Sequence, residues 1–140
     1  LIHEKGETAY YPSQKFHISM YLDGKFYSLH VKHDLRSTEM SLDNLDHHLL
    51  DKYIFKSILK IEDPDSSEKI SYIKGTSSLD GINQIKEKID SGEGKVGFGI
   101  FPVSFNDMIK ISDLRLSMPP KCTFIEPKLV TALLMYDMKP

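Results

Sequence analysis

The chain reads as an α+β domain: a mixed or mostly antiparallel sheet with about three helices packed on it. Three observations carry that reading. Asp23-Gly24 sits between two alternating apolar runs, the strongest short signal for a β-hairpin. Residues 42–60 and 79–91 repeat apolar side chains every three or four positions, the spacing of a helix face. A strand-like run, residues 95–101, follows the second of these, so strands and helices interleave.

Taken in order, residues 1–14 look like a connector from a preceding domain, dominated by Glu4, Lys5, Gly6, Glu7 and Pro12, and residues 15–140 like a single C-terminal α+β domain. A type I′ turn at Asp23-Gly24 pairs Leu22 with Lys25 and fixes the hairpin register. Met20 then faces Tyr27, Ile18 faces Leu29 and Phe16 faces Val31 on one, mainly apolar, face. Tyr21/Phe26, Ser19/Ser28 and His17/His30 fall on the other. Residues 42–60 are a helix on the stripe Leu45, Leu49, Leu50, Tyr53, Ile54 and Ile58, capped by Ser41 or Asp43. Asp63-Pro64-Asp65 is a turn, and residues 69–74 alternate as a short strand. Residues 79–91 form a second helix, with Ser78 as N-cap, Ile82, Ile85 and Ile89 buried, and Gly92 as its stop. In the strand 95–101, Gly97 and Gly99 imply close packing on one face, or a neighbouring backbone or ligand. Ser104 and Asp107 have capping-box spacing for a third helix, whose buried side is Phe105, Met108 and Ile109. Phe124-Ile125 and Val130 to Met138 close the chain as a hairpin around Pro127-Lys128. The order is β-β-α-β-α-β-α-β-β, with the helices on one face.

At 140 residues the chain can bury a core without staples. A net charge of −2 argues against a general nucleic-acid binder, which must neutralise phosphates. Beyond Met108 the bases Lys110, Arg115, Lys121, Lys128 and Lys139 outnumber the acids Asp113, Glu126 and Asp137, which permits a small anion site. Cys122, the only cysteine, suits a reducing, cytoplasmic setting and excludes an internal disulfide. No apolar run is long enough for a transmembrane helix.

The segment Met118-Pro119-Pro120-Lys121-Cys122-Thr123-Phe124-Ile125-Glu126-Pro127-Lys128 holds the candidate site. Three prolines stiffen it and exclude a helix. Lys121 and Lys128 would hold an anionic group such as phosphate as point charges, Thr123 would add a hydroxyl, and Glu126 would orient a lysine or act on a proton. The plainer alternative is a stiff crossover with solvated charges. His17 and His30 oppose each other and could offer two imidazoles to a metal, but no third ligand is evident on that face, so a solvent-facing polar pair and no metal are expected. His47 and His48 point about 100° apart on a helix and cannot share a metal; His48 could meet Asp51 or Lys52. Cys122 reads as a small packed residue, and the glycines of residues 92–99 do not match a phosphate-loop pattern.

Five segments share one further property. They are residues 20–29 (Met-Tyr-Leu-Asp-Gly-Lys-Phe-Tyr-Ser-Leu); residues 54–61 with Glu62-Asp63-Pro64; Ile73-Lys74-Gly75 with Asp90-Ser91-Gly92-Glu93; residues 98–104 (Phe-Gly-Ile-Phe-Pro-Val-Ser); and residues 118–128. Their order and spacing resemble the C-terminal region of the 1015 family of domains of unknown function, from Phe16 to the end. Cys122 stands where that family more commonly has Ser. The resemblance implies a preceding region related to the ParB and sulfiredoxin group, with an Asp-Gly-His-His-Arg stretch. Similar domains include nucleotide-dependent phosphotransferases, free-serine kinases among them. Asp46-His47-His48 is only superficially similar to that stretch, lacking its glycine and arginine. The implied function is an accessory, substrate-completing domain of a larger cytoplasmic protein, a small-molecule phosphotransferase, with this fragment silent alone. Nucleotide would be a cofactor of the full-length protein, with none in this fragment. Its partners would be its own N-terminal domain and, in a homodimer, a second copy. The rival expectation is an interaction or dimerisation module without catalysis, docking through the polar hairpin face or the helix of residues 42–60. DNA binding by analogy to ParB is opposed by the acidic charge.

Overall fold

The computed structural model describes residues 1–37, 39, 41–73 and 78–119. The predicted terminal hairpin and the site residues Lys121, Thr123, Glu126 and Lys128 lie outside the described residues. Strands β1 (Ile2–Gly6), β2 (His17–Leu22), β3 (Lys25–His30) and β4 (Val96–Ile100) make one antiparallel sheet in the order β1-β3-β2-β4. Helices α1 (Asp46–Leu50), α2 (Ser78–Asp90) and α3 (Phe105–Asp113) pack on it. The α+β class read from sequence is therefore the observed one. No described helix is long and apolar enough to cross a membrane.

The hairpin has the register that its turn dictates, from Leu22↔Lys25 to His17↔His30. Asp23 and Gly24 both take positive φ, 49° and 78°, as a type I′ turn requires. The faces are used differently from the simplest reading of their polarity. Tyr21, Phe26, Ser19 and Ser28, on the face expected to be polar, are all buried. α2 lies over this face, with Ile82, Ile85 and Ile89 against Tyr21 and Phe26. The serines are tolerated because both are bonded to one residue: Ser19 Oγ donates to the Tyr10 carbonyl at 2.7 Å and Ser28 Oγ to the Tyr10 hydroxyl at 3.0 Å. Tyr21 keeps its own hydroxyl paired, donating to Asp90 at 2.7 Å and accepting from Lys86 at 2.9 Å.

Gly97 and Gly99 share that face, and α2 is why they are glycines. A Cβ on Gly97 would lie 2.1 Å from Ile85 Cγ2, and one on Gly99 would lie 2.5 Å from Ile82 Cδ1. Phe98, between them, points to the opposite face and meets Phe55 edge-on, centroids 5.9 Å apart. Both faces of the sheet are thus covered, not one.

Several elements differ from expectation. Residues 2–6, read as connector, add a strand at the sheet's edge among the described residues, its side chains exposed and without apolar alternation. Residues 42–60 are not one helix but a 3-10 turn (Leu42–Asn44), α1 and a π-helical stretch (Asp51–Lys56). Leu45, Leu49 and Leu50 are buried as expected, while Ile58 is exposed. Residues 69–73, expected as part of a strand, are not one among the described residues; Ile70 N donates to the Ser67 carbonyl in a turn. The Asp63 turn is present, with Asp65 N and Ser66 Oγ donating to its carboxylate.

α2 ends in a Schellman motif: Gly92, at φ 86°, donates to the Ile89 carbonyl, and Glu93 N to that of Lys88. α3 starts at the expected box, where Asp107 N donates to Ser104 Oγ at 3.1 Å and Ser104 N to Asp107 Oδ2 at 3.4 Å. Its buried residue is Ile111, whereas Phe105 is 71% exposed and Ile109 44%. The helix is where the sequence places it, but its expected buried side, Phe105, Met108 and Ile109, is not the one that is buried. α3 closes like α2, with Leu116 N bonded to the Ile111 carbonyl, except that Arg115 holds the left-handed position at φ 56°. A Cβ there is strained, so Arg115→Gly is expected to stabilise the fold by about 0.5–1 kcal/mol, measured as a raised urea midpoint.

Candidate functional site

The best-formed site among the described residues is a small cleft of ≈ 200 Å³ where the start of β2, α1 and the β4–α3 connection meet. Lys15, Asp46 and Asp107 supply its polar groups; Phe101, Pro102 and Val103 supply apolar wall. The local structure of each element sets these positions. Asp107 is fixed by the α3 capping box. Lys15 precedes β2 and donates to Asp107 Oδ1 at 2.9 Å. Asp46 opens α1, and its Oδ1 accepts the Phe16 N–H at 2.8 Å.

That last bond holds an unusual residue. Phe16 has φ 68°, a left-handed conformation that a bulky side chain rarely adopts. Its carbonyl accepts from Val31 N at 2.9 Å, and the Arg36 guanidinium lies 4.7 Å from its ring centre. Arg36 is itself anchored on the Val31 carbonyl through Nε and Nη2. The strain at Phe16 is thus held from several sides, beside the cleft.

Asp46 is only 4% exposed, and its second oxygen, Oδ2, has no hydrogen-bond partner among the described residues. Burial raises its pKa to about 6, against the opposing help of the Phe16 N–H and the Lys15 charge. Asp107 behaves oppositely. Burial tends to raise its pKa, but the hydrogen bonds from Lys15 and Ser104 outweigh that and hold it below the usual carboxylate value. Two carboxyls of one cleft therefore differ in character near pH 6: one ionised and paired, one able to carry a proton. That pair of environments can accept a hydrogen-bond donor and exchange a proton with it.

Next to Asp46, His47 is buried and sits 3.3 Å from Asp51 Oδ2, one turn on. The alignment makes no hydrogen bond, and His47 Nδ1 and Asp51 Oδ1 have no hydrogen-bond partner among the described residues. His47, not His48, is thus the histidine that approaches Asp51; His48 lies 3.4 Å from Asp43 Oδ1. His17 and His30 do face each other, with rings stacked 3.9 Å apart. His3, from the unforeseen strand β1, joins them at 4.7 Å from His30. Among the described residues no group of three His, Cys, Asp or Glu side chains is placed to hold a metal. Of the cleft, sequence reading marked Ser104 and Asp107 as a cap and Leu45 as core, and named Asp46 only in a superficial likeness with no role attached; Lys15 carries no local signal, because distant segments bring these groups together.

Protein-family models, curated proteins and solved structures give no match to this chain. What fold and site together define is a class: an α+β domain with a four-stranded antiparallel sheet and a small two-carboxylate cleft.

Proposed function

We propose that this chain is an accessory domain that completes a small-molecule site in a larger cytoplasmic protein and is catalytically silent alone. The observation that carries this reading is the cleft itself. At ≈ 200 Å³ it is smaller than the roughly 300–1,000 Å³ of a self-sufficient ligand pocket, yet it holds a buried carboxyl with an unpartnered oxygen. Such a surface can hold one end of a ligand whose remainder rests on another domain. The resemblance of five segments to the 1015 family supports a preceding partner domain, and through it a nucleotide-dependent phosphotransferase. In that setting Lys121, Thr123, Glu126 and Lys128 would add the anion-holding groups that the cleft lacks.

The test is ligand-dependent thermal stability of the fragment and of the longer protein with nucleotides, phosphate and phospho-amino acids. A ligand at a hundred times its dissociation constant adds about 2.7 kcal/mol to the state that binds it. A shift in the longer protein, weakened by Lys15→Ala and absent from the fragment, is the expected result. Turnover of a nucleotide by the fragment would overturn the reading. One observation favours the rival, a homodimerisation module: α3 exposes Phe105 and Ile109 one turn apart on one face. The polar hairpin face no longer serves that rival, since Ser19 and Ser28 are buried. Concentration-dependent dimerisation without any ligand shift would decide for it.

A further inference from the structure

We propose that the stacked rings of His17 and His30, with His3 leaning on His30, form a proton-operated latch that holds β1 on the sheet while the stack is neutral and releases it when the stack is protonated. The three residues come from the adjacent strands β1, β2 and β3, with His30 in the middle. The rings of His17 and His30 are nearly parallel, 9° apart at 3.9 Å, and His3 leans on His30 at 47° and 4.7 Å. Parallel stacking at this distance is favourable between neutral imidazoles. It sets the in-plane lone pairs side by side, so they do not converge on a shared cation. Two imidazolium rings at the same separation repel.

The surroundings sharpen that repulsion. From β1 the group is faced by Lys5, from the residue before it by the Leu1 ammonium, and from the segment after β3 by Arg36; the charges that act on His17 and His30 are all cationic. Gln14 Nε2 lies 2.9 Å from His17 Nε2 and as placed can only donate to it, which requires that nitrogen to be unprotonated. Burial, then these neighbouring cations, hold both His17 and His30 below the ordinary value of 6.5. The sign follows. The open form binds protons more readily, so the latch is fully closed above pH 6.5 and loosens as the pH falls below it.

β1 is the element poised to respond. Among the described residues it is an edge strand with one neighbour, none of its side chains is buried, and a bulge between Glu4 and Gly6 interrupts its ladder. Besides backbone pairing and the His3–His30 ring contact, its ties among the described residues are the exposed Glu4–Lys25 ion pair, the Lys5 contact with the Tyr10 ring and, just before the strand, the Leu1 ammonium donating to the His30 carbonyl at 2.9 Å. Opening at such a strand costs far less than global unfolding. Release of β1 would bare the β3 edge, a surface ready to pair with another strand.

Amide hydrogen exchange of the whole chain at about pH 7.5 and about pH 5, corrected for the intrinsic pH dependence, tests the latch. Protection of the β1 amides should fall about tenfold or more at the lower pH, while β2–β4 amides keep theirs. His30→Phe keeps a flat ring between His3 and His17 without a proton, and should cut that loss to about threefold or less. If His30→Phe fails to fold, His3→Gln, at an exposed edge position, must give the same reduction. Unchanged β1 protection in the parent, or an equal loss in parent and variant, overturns the proposal.

Discussion

Gly97→Ala should destabilise the protein by about 2 kcal/mol or more, the strongest effect expected from adding one methyl group. Alanine is otherwise the better residue within a strand by roughly 0.5–1 kcal/mol, so the sign itself is informative. The new Cβ would stand 2.1 Å from Ile85 Cγ2 and 3.5 Å from Ile85 Cβ. A γ-methyl next to the helix backbone cannot swing aside, so α2 must lift or Ile85 must leave its rotamer. Gly99→Ala clashes only with the end of Ile82, at Cδ1, its other neighbours lying at ordinary contact distance, and should cost about 1 kcal/mol or less, because that methyl can rotate away. Urea unfolding of both variants checks the order. Ile85→Ala should cost less in the Gly97→Ala background than in the parent, since it removes the clashing group; simple additivity would sink this account of the α2–sheet contact.

Asp46→Asn should change the pH dependence of stability more than any other substitution of an acid. The folded state holds the Asp46 carboxyl near 6, against 3.8 ordinarily, because it is buried with one oxygen unpartnered. A raised acid binds its proton more tightly when folded. Its favourable contribution is therefore present below about pH 4 and disappears as pH rises through about 6. At neutral pH the buried charge costs about 3 kcal/mol at 1.36 kcal/mol per factor of ten. Asparagine keeps an acceptor for the Phe16 N–H and has no charge to bury. The stability of the variant relative to the parent should thus improve by about 2–3 kcal/mol between pH 4 and pH 7.5. Denaturant midpoints across that range measure it, and a constant difference would remove Asp46 as the titrating group. The histidine stack acts with the opposite sign, so only the variant-minus-parent difference isolates the carboxyl.

The hairpin was legible to the residue because turn chemistry fixes register locally: Asp23-Gly24 decides that His17 meets His30. Which face would be buried was not legible. Ser19 and Ser28 look like solvent residues until Tyr10, in a segment with no periodicity, supplies their bonds. β1 was hidden for a related reason, since an edge strand exposed on its side chains needs no apolar alternation. The stretch from Leu42 to Lys56 shows the limit of spacing arguments. 3-10, α and π turns all return an apolar residue after three to five positions, so the stripe marks a helix without telling its kind. At α3 the stripe was visible, but the choice of Ile111 over Phe105 depends on how the helix is rolled against its neighbours. The cleft shows the limit most plainly. Its acid and base partners, Lys15, Asp46 and Asp107, are drawn from three separated elements, and Asp46 gains its character only from burial.

Strand β2 acquires its two neighbours at different times. β3 follows directly through a two-residue turn and can pair within microseconds. β4 must bring Ile100 back to Ile18 across α1 and α2, the longest loop closure among the pairings of this sheet. On the ribosome, a nascent chain that has emerged only as far as Asp90 therefore carries the hairpin with the β2 edge still open. That interval, before Val96–Ile100 arrives, is when this protein is most exposed to association with its own copies.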